Sequence, residues 1–279
     1  MIKKIISDSC YDLPDKLLKK MNIDIVPMSL IFNDKVYKEK INITDKDFYN
    51  KLKMCEESPS SASPSPADFM KYINDINNIF IVTISSALSS SYNNALLAKE
   101  LYNKKHDNNN FIHIFDSLNA SIGQGLILLK LNELIQNNKS INEIITSVED
   151  YSKKLNTFFL LDNLNNLINS GRLNKIMGKL ISILNIKLIM GKNINGDIKL
   201  FKKVRGSRKA FNKLIDIIGE TDNNFENKTL GIAHYKCREK AEKFKKCVEN
   251  KYNFNNIIIT SMGPTIATYA DENSLLISF

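Results

Sequence analysis

Short, unbroken apolar runs followed by helical segments constrain the fold of this chain most strongly. Lys3–Ser7, Ile79–Ile84 and Phe111–Phe115 are such runs, and continuous apolar residues are typical of strands buried on both faces. Helices are predicted after the last two, over about Tyr92–Asn103 and Asn119–Gln136. Because strands joined through helices form parallel sheets with right-handed crossovers, the first half is expected to be α/β.

A Ser- and Pro-rich segment, Ser58–Pro66, interrupts this half. Its three prolines forbid a helix and favour extended backbone. Since a helical segment follows at once, the segment is predicted to be an ordered loop. The other elements predicted here are a strand over Asp24–Phe32 and helices over Pro14–Met21, Asp45–Met54, Ala67–Ile76 and Ile141–Leu155.

The second half mixes a hairpin with helices. Asn195-Gly196 joins two strand-like runs, which is a strong hairpin signal. The pattern predicts an α+β domain over residues 156–279, after an α/β domain over residues 1–155. The elements predicted here are strands over Thr157–Leu161, Asn185–Met190, Asp197–Val204, Leu230–His234, Asn256–Ser261 and Leu275–Phe279, and helices over Ser207–Ile218 and Arg238–Glu249.

The chain is basic, with a formal net charge of +9, yet only four of its 39 basic residues are arginine. Nucleic-acid-binding proteins use arginine for bidentate contacts to bases and phosphates and usually cluster it. A surface made of lysine therefore does not indicate that function, and no nucleic-acid partner is expected.

Localisation and redox state are inferred from what the sequence lacks. No stretch approaches the apolar length of a membrane span, and Asp8 breaks the first apolar run before an export signal forms. The four cysteines have no C-x-x-C or zinc-binding spacing. We expect a cytoplasmic protein with reduced thiols and no metal site.

Small hydroxyl residues follow the apolar runs at three places. Ser9, Ser89 and Ser117 lie in these segments, and open parallel sheets bind ligands beyond the carboxyl ends of their strands. Hydroxyls before a helix, with its free N–H groups, can hold a carboxylate or phosphate. The alternative interpretation is that these serines only cap helices and turn the chain.

Catalysis is less well supported. A nucleophilic serine needs a neighbouring base, and the three histidines, His106, His113 and His234, form no recognisable motif with it. The chain also lacks a G-x-S-x-G elbow, a P-loop and a G-x-G-x-x-G loop. The protein is therefore not expected to be an enzyme or to hold a cofactor, although a serine hydrolase using Ser89 stays as an alternative.

Two of the four arginines adjoin glycines, in Gly171-Arg172 and Arg205-Gly206. A planar guanidinium on a tight turn suits recognition of a carboxylate or phosphate, and lysine does not reproduce its geometry. The alternative role is a surface ion pair, which contributes little. Arg172 and Arg205 are therefore candidate ligand-binding residues.

Seven segments, taken in order, make the sequence similar to the DegV family of fatty-acid-binding proteins. Each is weakly specific alone, but their order and spacing cover nearly the whole chain. The segments are Ile6–Pro14, Val26–Met28 with Tyr37, Ser61–Pro66, Ile84–Tyr92, Asp116–Gly125, Gly171–Leu173 with Leu184–Lys187, and Lys203–Gly206.

The resemblance implies two α/β-type domains with a long-chain fatty acid buried between them. Ser61 and Ser89 would hold its carboxylate, and Arg172 and Arg205 would support the head group or face a partner. In Gram-positive bacteria some family members present the acid to a separate fatty acid kinase for phospholipid synthesis. The bound fatty acid is the ligand, and no further cofactor is implied.

The sequence departs from the family at its C-terminal motif, where Tyr269 replaces a histidine that reaches the carboxylate. A phenol donates one hydrogen bond but is neutral at pH 7. One alternative is therefore a divergent member that has lost lipid binding and acts as a regulatory protein. If the lysine surface has a partner, an acidic kinase face or an anionic membrane is expected before a nucleic acid.

Overall fold

The computed structural model describes residues 3–55, 59–73, 78–106, 110–161, 164–173, 185–270 and 272–279. Within these ranges, no helix is both long and apolar enough to span a bilayer. Ser58, Leu184 and Ile76, the predicted end of the Ala67–Ile76 helix, lie outside the described residues. That helix ends earlier than predicted, at Met70, since Lys71, Tyr72 and Ile73 are not helical.

The described residues form thirteen strands and ten helices. The strands are β1 (Lys3–Asp8), β2 (Ile23–Val26), β3 (Ser29–Phe32), β4 (Lys35–Lys38), β5 (Ser60–Ala62), β6 (Asn78–Thr83), β7 (Phe111–Asp116), β8 (Thr157–Leu160), β9 (Ile186–Lys192), β10 (Ile198–Arg205), β11 (Thr229–His234), β12 (Asn256–Ser261) and β13 (Leu275–Ser278). The helices are α1 (Asp15–Met21), α2 (Asp45–Met54), α3 (Pro66–Met70), α4 (Ser91–Lys105), α5 (Ile122–Gln136), α6 (Ile141–Lys154), α7 (Asn165–Asn169), α8 (Ser207–Thr221), α9 (Arg238–Glu249) and α10 (Pro264–Tyr269).

A four-stranded parallel sheet in the order β2-β1-β6-β7 forms the first layer. All six residues of β6 are buried, as its unbroken apolar run predicted. Helices connect β6 to β7 and follow β7, so the predicted α/β architecture of this half is confirmed. The carboxyl ends of β1, β6 and β7 meet at one edge of the sheet.

The prediction of one strand over Asp24–Phe32 is wrong. The chain forms β2 in the parallel sheet and then β3 in a separate antiparallel sheet of order β4-β3-β5. Pro27 lies between them, and proline has no N–H to continue a ladder of hydrogen bonds. The break moves the chain from one sheet to another.

The Ser/Pro segment is ordered, as predicted, but it also contains a strand. Ser61 pairs with Leu30 of β3, and Ser65 begins α3 with a capping box in which it exchanges hydrogen bonds with Asp68. Pro66 occupies the first turn, where its missing N–H costs nothing. Ser61 is therefore fixed by backbone pairing on one side and by a capped helix on the other.

A six-stranded mixed sheet in the order β10-β9-β8-β13-β11-β12 forms the second half. Along β8, Phe158 and Leu160 pack with helix α8 in one hydrophobic cluster. Phe159 and Leu161 instead join the cluster that contains the first half of the chain. Alternation along the strand thus sends every second residue toward the parallel sheet.

The parallel sheet lies entirely before residue 155 and the six-stranded sheet entirely after it. Their facing sides share one hydrophobic cluster, in which Leu126 and Ile127 of α5 lie with Met190 of β9 and Leu276 of β13. Division into independent domains over 1–155 and 156–279 stays a prediction.

Asp8, at the end of β1, joins three segments of the first half. Its buried carboxylate accepts hydrogen bonds from Gln124 Nε2 at 2.8 Å, Ser91 Oγ at 2.6 Å and the Ile84 N–H at 2.9 Å. The Cys10 N–H adds a fourth at 3.2 Å. Although burial raises the pKa of Asp8, these donors favour its charged form.

Replacing Asp8 by alanine should destabilise the fold by roughly 3 kcal/mol, because the Gln124, Ser91 and Ile84 donors would lose their acceptor inside the protein. Urea denaturation monitored by circular dichroism measures this change. Asp24→Ala is the control, since Asp24 is 43% exposed and pairs with Lys4, and its loss should cost less than about 1 kcal/mol. Equal effects of the two substitutions would contradict the role given to Asp8.

Candidate ligand-binding site

A cavity of about 130 Å³ lies between the two large sheets and α10. Its walls are mostly apolar: Met28 and Ile84 line it from the first half, Phe159 and Leu276 from the six-stranded sheet, and Ile266 from α10. The cavity therefore exists only where both halves of the chain meet. An apolar interior of this kind favours a ligand with a hydrocarbon part.

Four polar residues that the sequence predicted come together at this cavity. Ser61, Ser89, Arg172 and Tyr269 all line it, and we call them the hydroxyl–arginine cluster. Tyr269 Oη lies 2.8 Å from Ser61 Oγ and accepts the Ser61 N–H at 3.2 Å. The Arg172 guanidinium lies over the Tyr269 ring, 5.4 Å from its centroid.

Backbone geometry positions Arg172 and Ser89 beside each other. Gly171 has φ +76°, a conformation that favours glycine, and it turns the chain out of α7. Arg172 Nη1 then donates to the Ser170 carbonyl at 2.7 Å, and its Nε donates to the Leu88 carbonyl at 3.4 Å. Since Ser89 follows Leu88, the second of these hydrogen bonds holds the Arg172 guanidinium next to the loop that carries the Ser89 hydroxyl.

The other three predicted residues lie outside the cavity wall. Ser9 is buried and donates to Glu39 Oε2 at 2.7 Å, and Ser117 is buried and donates to the Asn119 carbonyl at 2.9 Å. Arg205 is exposed at the end of β10. The first two shape loops that reach the cavity, and direct ligand contact by any of the three stays a prediction.

Sequence reasoning missed several polar residues of the wall, among them Thr265 and Lys192. Thr265 follows Gly263-Pro264, and a proline in the first turn of a helix was a usable signal for the start of α10. Lys192 carried no local signal, because it is one lysine among many at the end of a strand. It reaches the cavity only through the pairing of β9 with β8.

Two buried carboxyl groups support the start of α10. Asp12 accepts hydrogen bonds from the Gly263 N–H at 2.7 Å and from Ser121 Oγ, while Glu39 accepts from Thr265 Oγ1 at 2.5 Å. A Cβ on Gly263 would lie only 3.2 Å from Asp12 and 3.3 Å from Glu39. Glycine therefore lets α10, and with it Thr265, sit directly on these carboxyl groups.

Burial sets the ionisation of both groups. It raises the pKa of Asp12 to about 6 and that of Glu39 to about 7, since an ionised carboxyl loses its hydration there. Hydrogen bonds from Thr265 and Ser9 oppose the shift at Glu39 without cancelling it. Near neutral pH, Glu39 therefore holds a proton in a large fraction of molecules.

This arrangement can hold an amphipathic anion but lacks a base for serine chemistry. The cluster offers hydroxyl donors and one guanidinium, which suit a carboxylate or phosphate. None of the three histidines lines the cavity described here. Fold and site together thus describe a binding protein for a molecule with an acidic head and an apolar body.

Comparison with known proteins agrees with this class. The DegV family model matches residues 3–279. A DegV domain-containing protein of Streptococcus gordonii is 30% identical over 281 residues, covering 100% of this chain and 99% of that protein. The chain belongs to the DegV family.

Solved structures of related proteins share the fold over the whole chain. A DegV family protein from Ruminococcus gnavus, with vaccenic acid, has a TM-score of 0.93 at 30% identity and 99% coverage of both chains. The Streptococcus pneumoniae Fatty Acid Kinase (Fak) B3 protein, loaded with linoleic acid, has a TM-score of 0.87 at 27% identity, covering 100% of this chain and 99% of that one. DegV from Bacillus subtilis, a fatty acid binding protein, has a TM-score of 0.87 at 25% identity, with coverage of 100% and 98%.

Glu39 should make the fold less stable as the pH rises. Its folded pKa, about 7, lies above its ordinary value of 4.5, so the folded protein binds the proton more tightly. The stabilisation is complete below pH 4.5 and is lost as the pH rises through about 7, a loss of roughly 3 kcal/mol.

Unfolding free energies measured across this pH range should show a smaller decline in Glu39→Gln than in the wild type. Glu133→Gln is the control, because Glu133 is 56% exposed and pairs with Lys130. A Glu39→Gln variant with the wild-type pH dependence would show that this carboxyl group is not protonated in the folded state.

Proposed function

We propose that this protein binds a long-chain fatty acid, with its carboxylate on the hydroxyl–arginine cluster and its acyl chain in the apolar cavity. The observation that carries the proposal is the joining of Ser61, Tyr269 and Arg172 at one place in a mostly apolar wall. The fatty acids in the Ruminococcus gnavus and Streptococcus pneumoniae relatives support the same ligand class.

The physical chemistry of the site suits this ligand. Each methylene transferred from water into the cavity contributes about 0.8 kcal/mol, and loss of ligand freedom offsets part of the total. Arg172 supplies the positive charge for the carboxylate, and hydroxyl donors complete its hydrogen bonds without adding charge. The apolar wall thus supplies affinity, while the cluster sets the orientation of the acid.

Tyr269 takes the place of the histidine that the family resemblance implies. Its hydroxyl is already placed by Ser61 Oγ and the Ser61 N–H, so it can donate its own hydrogen to a carboxylate. It can therefore act as a hydrogen-bond donor to the head group without adding a charge to the cluster.

We further propose that the protein is a carrier that presents the carboxylate to a separate cytoplasmic fatty acid kinase and makes no bonds itself. The name of the Streptococcus pneumoniae relative motivates the kinase partner. Exposed Arg205 and the lysine-rich surface are candidates for that contact or for an anionic membrane surface. No cofactor other than the bound acid is needed.

Two alternatives are less well supported. A regulatory protein without lipid binding would be expected to fill the space between the sheets with side chains, yet an open cavity of about 130 Å³ remains there. A hydrolase would need a base beside Ser89. The described wall around that hydroxyl offers a guanidinium and a phenol instead.

Protein purified without detergent should carry fatty acid, detectable by mass spectrometry of an organic extract.

Arg172→Ala should weaken binding of added hexadecanoic acid by roughly 10- to 100-fold, because a charge-assisted hydrogen bond is lost. Isothermal titration calorimetry on delipidated protein measures this. Arg238→Ala is the control, since Arg238 is exposed and pairs with Glu242. An empty extract together with no binding by the wild type would overturn the proposed function.

Substitutions of Tyr269 test how the head group is held. Tyr269→Phe removes one donor and should weaken binding about fivefold. Tyr269→His should introduce a pH dependence, with affinity falling as the pH rises through about 6.5, because the protonated imidazole attracts the carboxylate. Affinities measured by calorimetry on both sides of that value check this. A flat profile for Tyr269→His would place the carboxylate away from residue 269.

A further inference from the structure

Lys192 is a second cationic residue in the cavity wall, in addition to Arg172. It ends β9 and is partly buried. A hydrocarbon chain needs no ammonium group beside it, and bringing one there costs hydration. Its presence in a mostly apolar wall therefore calls for a polar partner rather than a methyl group.

Lys192 and the hydroxyl–arginine cluster lie at opposite ends of β8. Gly191 pairs with Phe158, which places Lys192 beside Thr157 at the start of that strand. The cavity-facing residues Thr157, Phe159 and Leu161 then run along the strand for about 13 Å, at roughly 3.3 Å per residue.

The other end of β8 leads to the cluster. The chain continues from Leu161 into α7 and then to Arg172, and Asn166 of α7 donates to the Thr268 carbonyl, next to Tyr269, at 3.3 Å. The apolar wall of β8 therefore has a polar group at each end.

The Lys192 ammonium has unused hydrogen-bonding capacity. It donates to the Ser152 carbonyl, in the last turn of α6, at 2.8 Å, and an ammonium has three donors. No described carboxylate forms an ion pair with it; Asp116 acts on it only at longer range. Burial lowers the pKa of Lys192 to about 8, so the group is mainly charged at neutral pH.

We propose that Lys192 forms a second polar subsite, and that the ligand of this protein is a long-chain acid with an oxygen function, carboxylate or hydroxyl, toward the far end of its chain. The acid group would bind the hydroxyl–arginine cluster, and the distal oxygen would accept a hydrogen bond from Lys192. This inference rests on the proposed function and specifies its substrate class.

The test compares hexadecanoic acid with hexadecanedioic and 16-hydroxyhexadecanoic acids on delipidated protein by calorimetry. Wild-type protein should bind at least one oxygenated acid roughly tenfold more tightly than hexadecanoic acid. Lys192→Met keeps the length of the side chain but removes the charge, and should abolish or reverse that preference. Lys192→Arg should retain it. Lys199→Met, on an exposed position of β10, is the matched control and should behave as wild type.

Each result separates the subsite from the proposed function. If wild type binds all three acids equally, or prefers hexadecanoic acid, fatty-acid binding stands and the Lys192 subsite is overturned. The same holds if Lys192→Met, with a melting curve like that of wild type, keeps the wild-type preference. If wild type binds none of the acids, the proposed function and the inference that rests on it both fail.

Discussion

The buried carboxylate of Asp8 is the interaction on which the site depends. It closes the carboxyl edge of the parallel sheet by accepting hydrogen bonds from the end of β6, the start of α4 and the first turn of α5. Ser91, one of its donors, also gives its N–H to Ser89 Oγ at 3.3 Å. The buried Asp8 carboxyl group thus positions a hydroxyl on the cavity wall through Ser91.

Two further buried carboxyl groups accept hydrogen bonds that join the two halves of the chain. Asp12 and Glu39 belong to the first half, and they hold Gly263 and Thr265 at the start of α10 in the second. Tyr269, at the other end of this short helix, bonds to Ser61 of β5. Since α10 is held from the first half at both ends, the cavity wall forms as a consequence of docking the two sheets.

The elements predicted best from sequence are those with strong local patterns. Asp45–Met54, Arg238–Glu249 and Asn256–Ser261 have the predicted bounds. Local sequence patterns specify them, and the Thr44 side chain also caps the first. The prediction of one strand over Asp24–Phe32 was wrong, because the apolar run continues past Pro27, where the chain changes from one sheet to another. Strand β5 has only three residues in a Ser/Pro segment, and its pairing with β3 is a tertiary contact.

The residues of the candidate site also fall into those that the sequence predicted and those that it did not. Ser61, Ser89, Arg172 and Tyr269 were identified because family-like motifs or glycine turns mark them, and the structure brings them together. Glu39 and Lys192 could not be found, since the sequence around each resembles any exposed charged segment. Only the fold buries Glu39 beneath α10 and turns Lys192 toward the cavity.

A crystal structure of the protein with bound hexadecanoic acid would show where the head group and the acyl chain lie. We expect the carboxylate within hydrogen-bonding distance of Ser61 Oγ, Tyr269 Oη or the Arg172 guanidinium, with the acyl chain along Phe159 and Leu276. Electron density that places the acid outside this cavity, or its carboxylate away from the hydroxyl–arginine cluster, would contradict it.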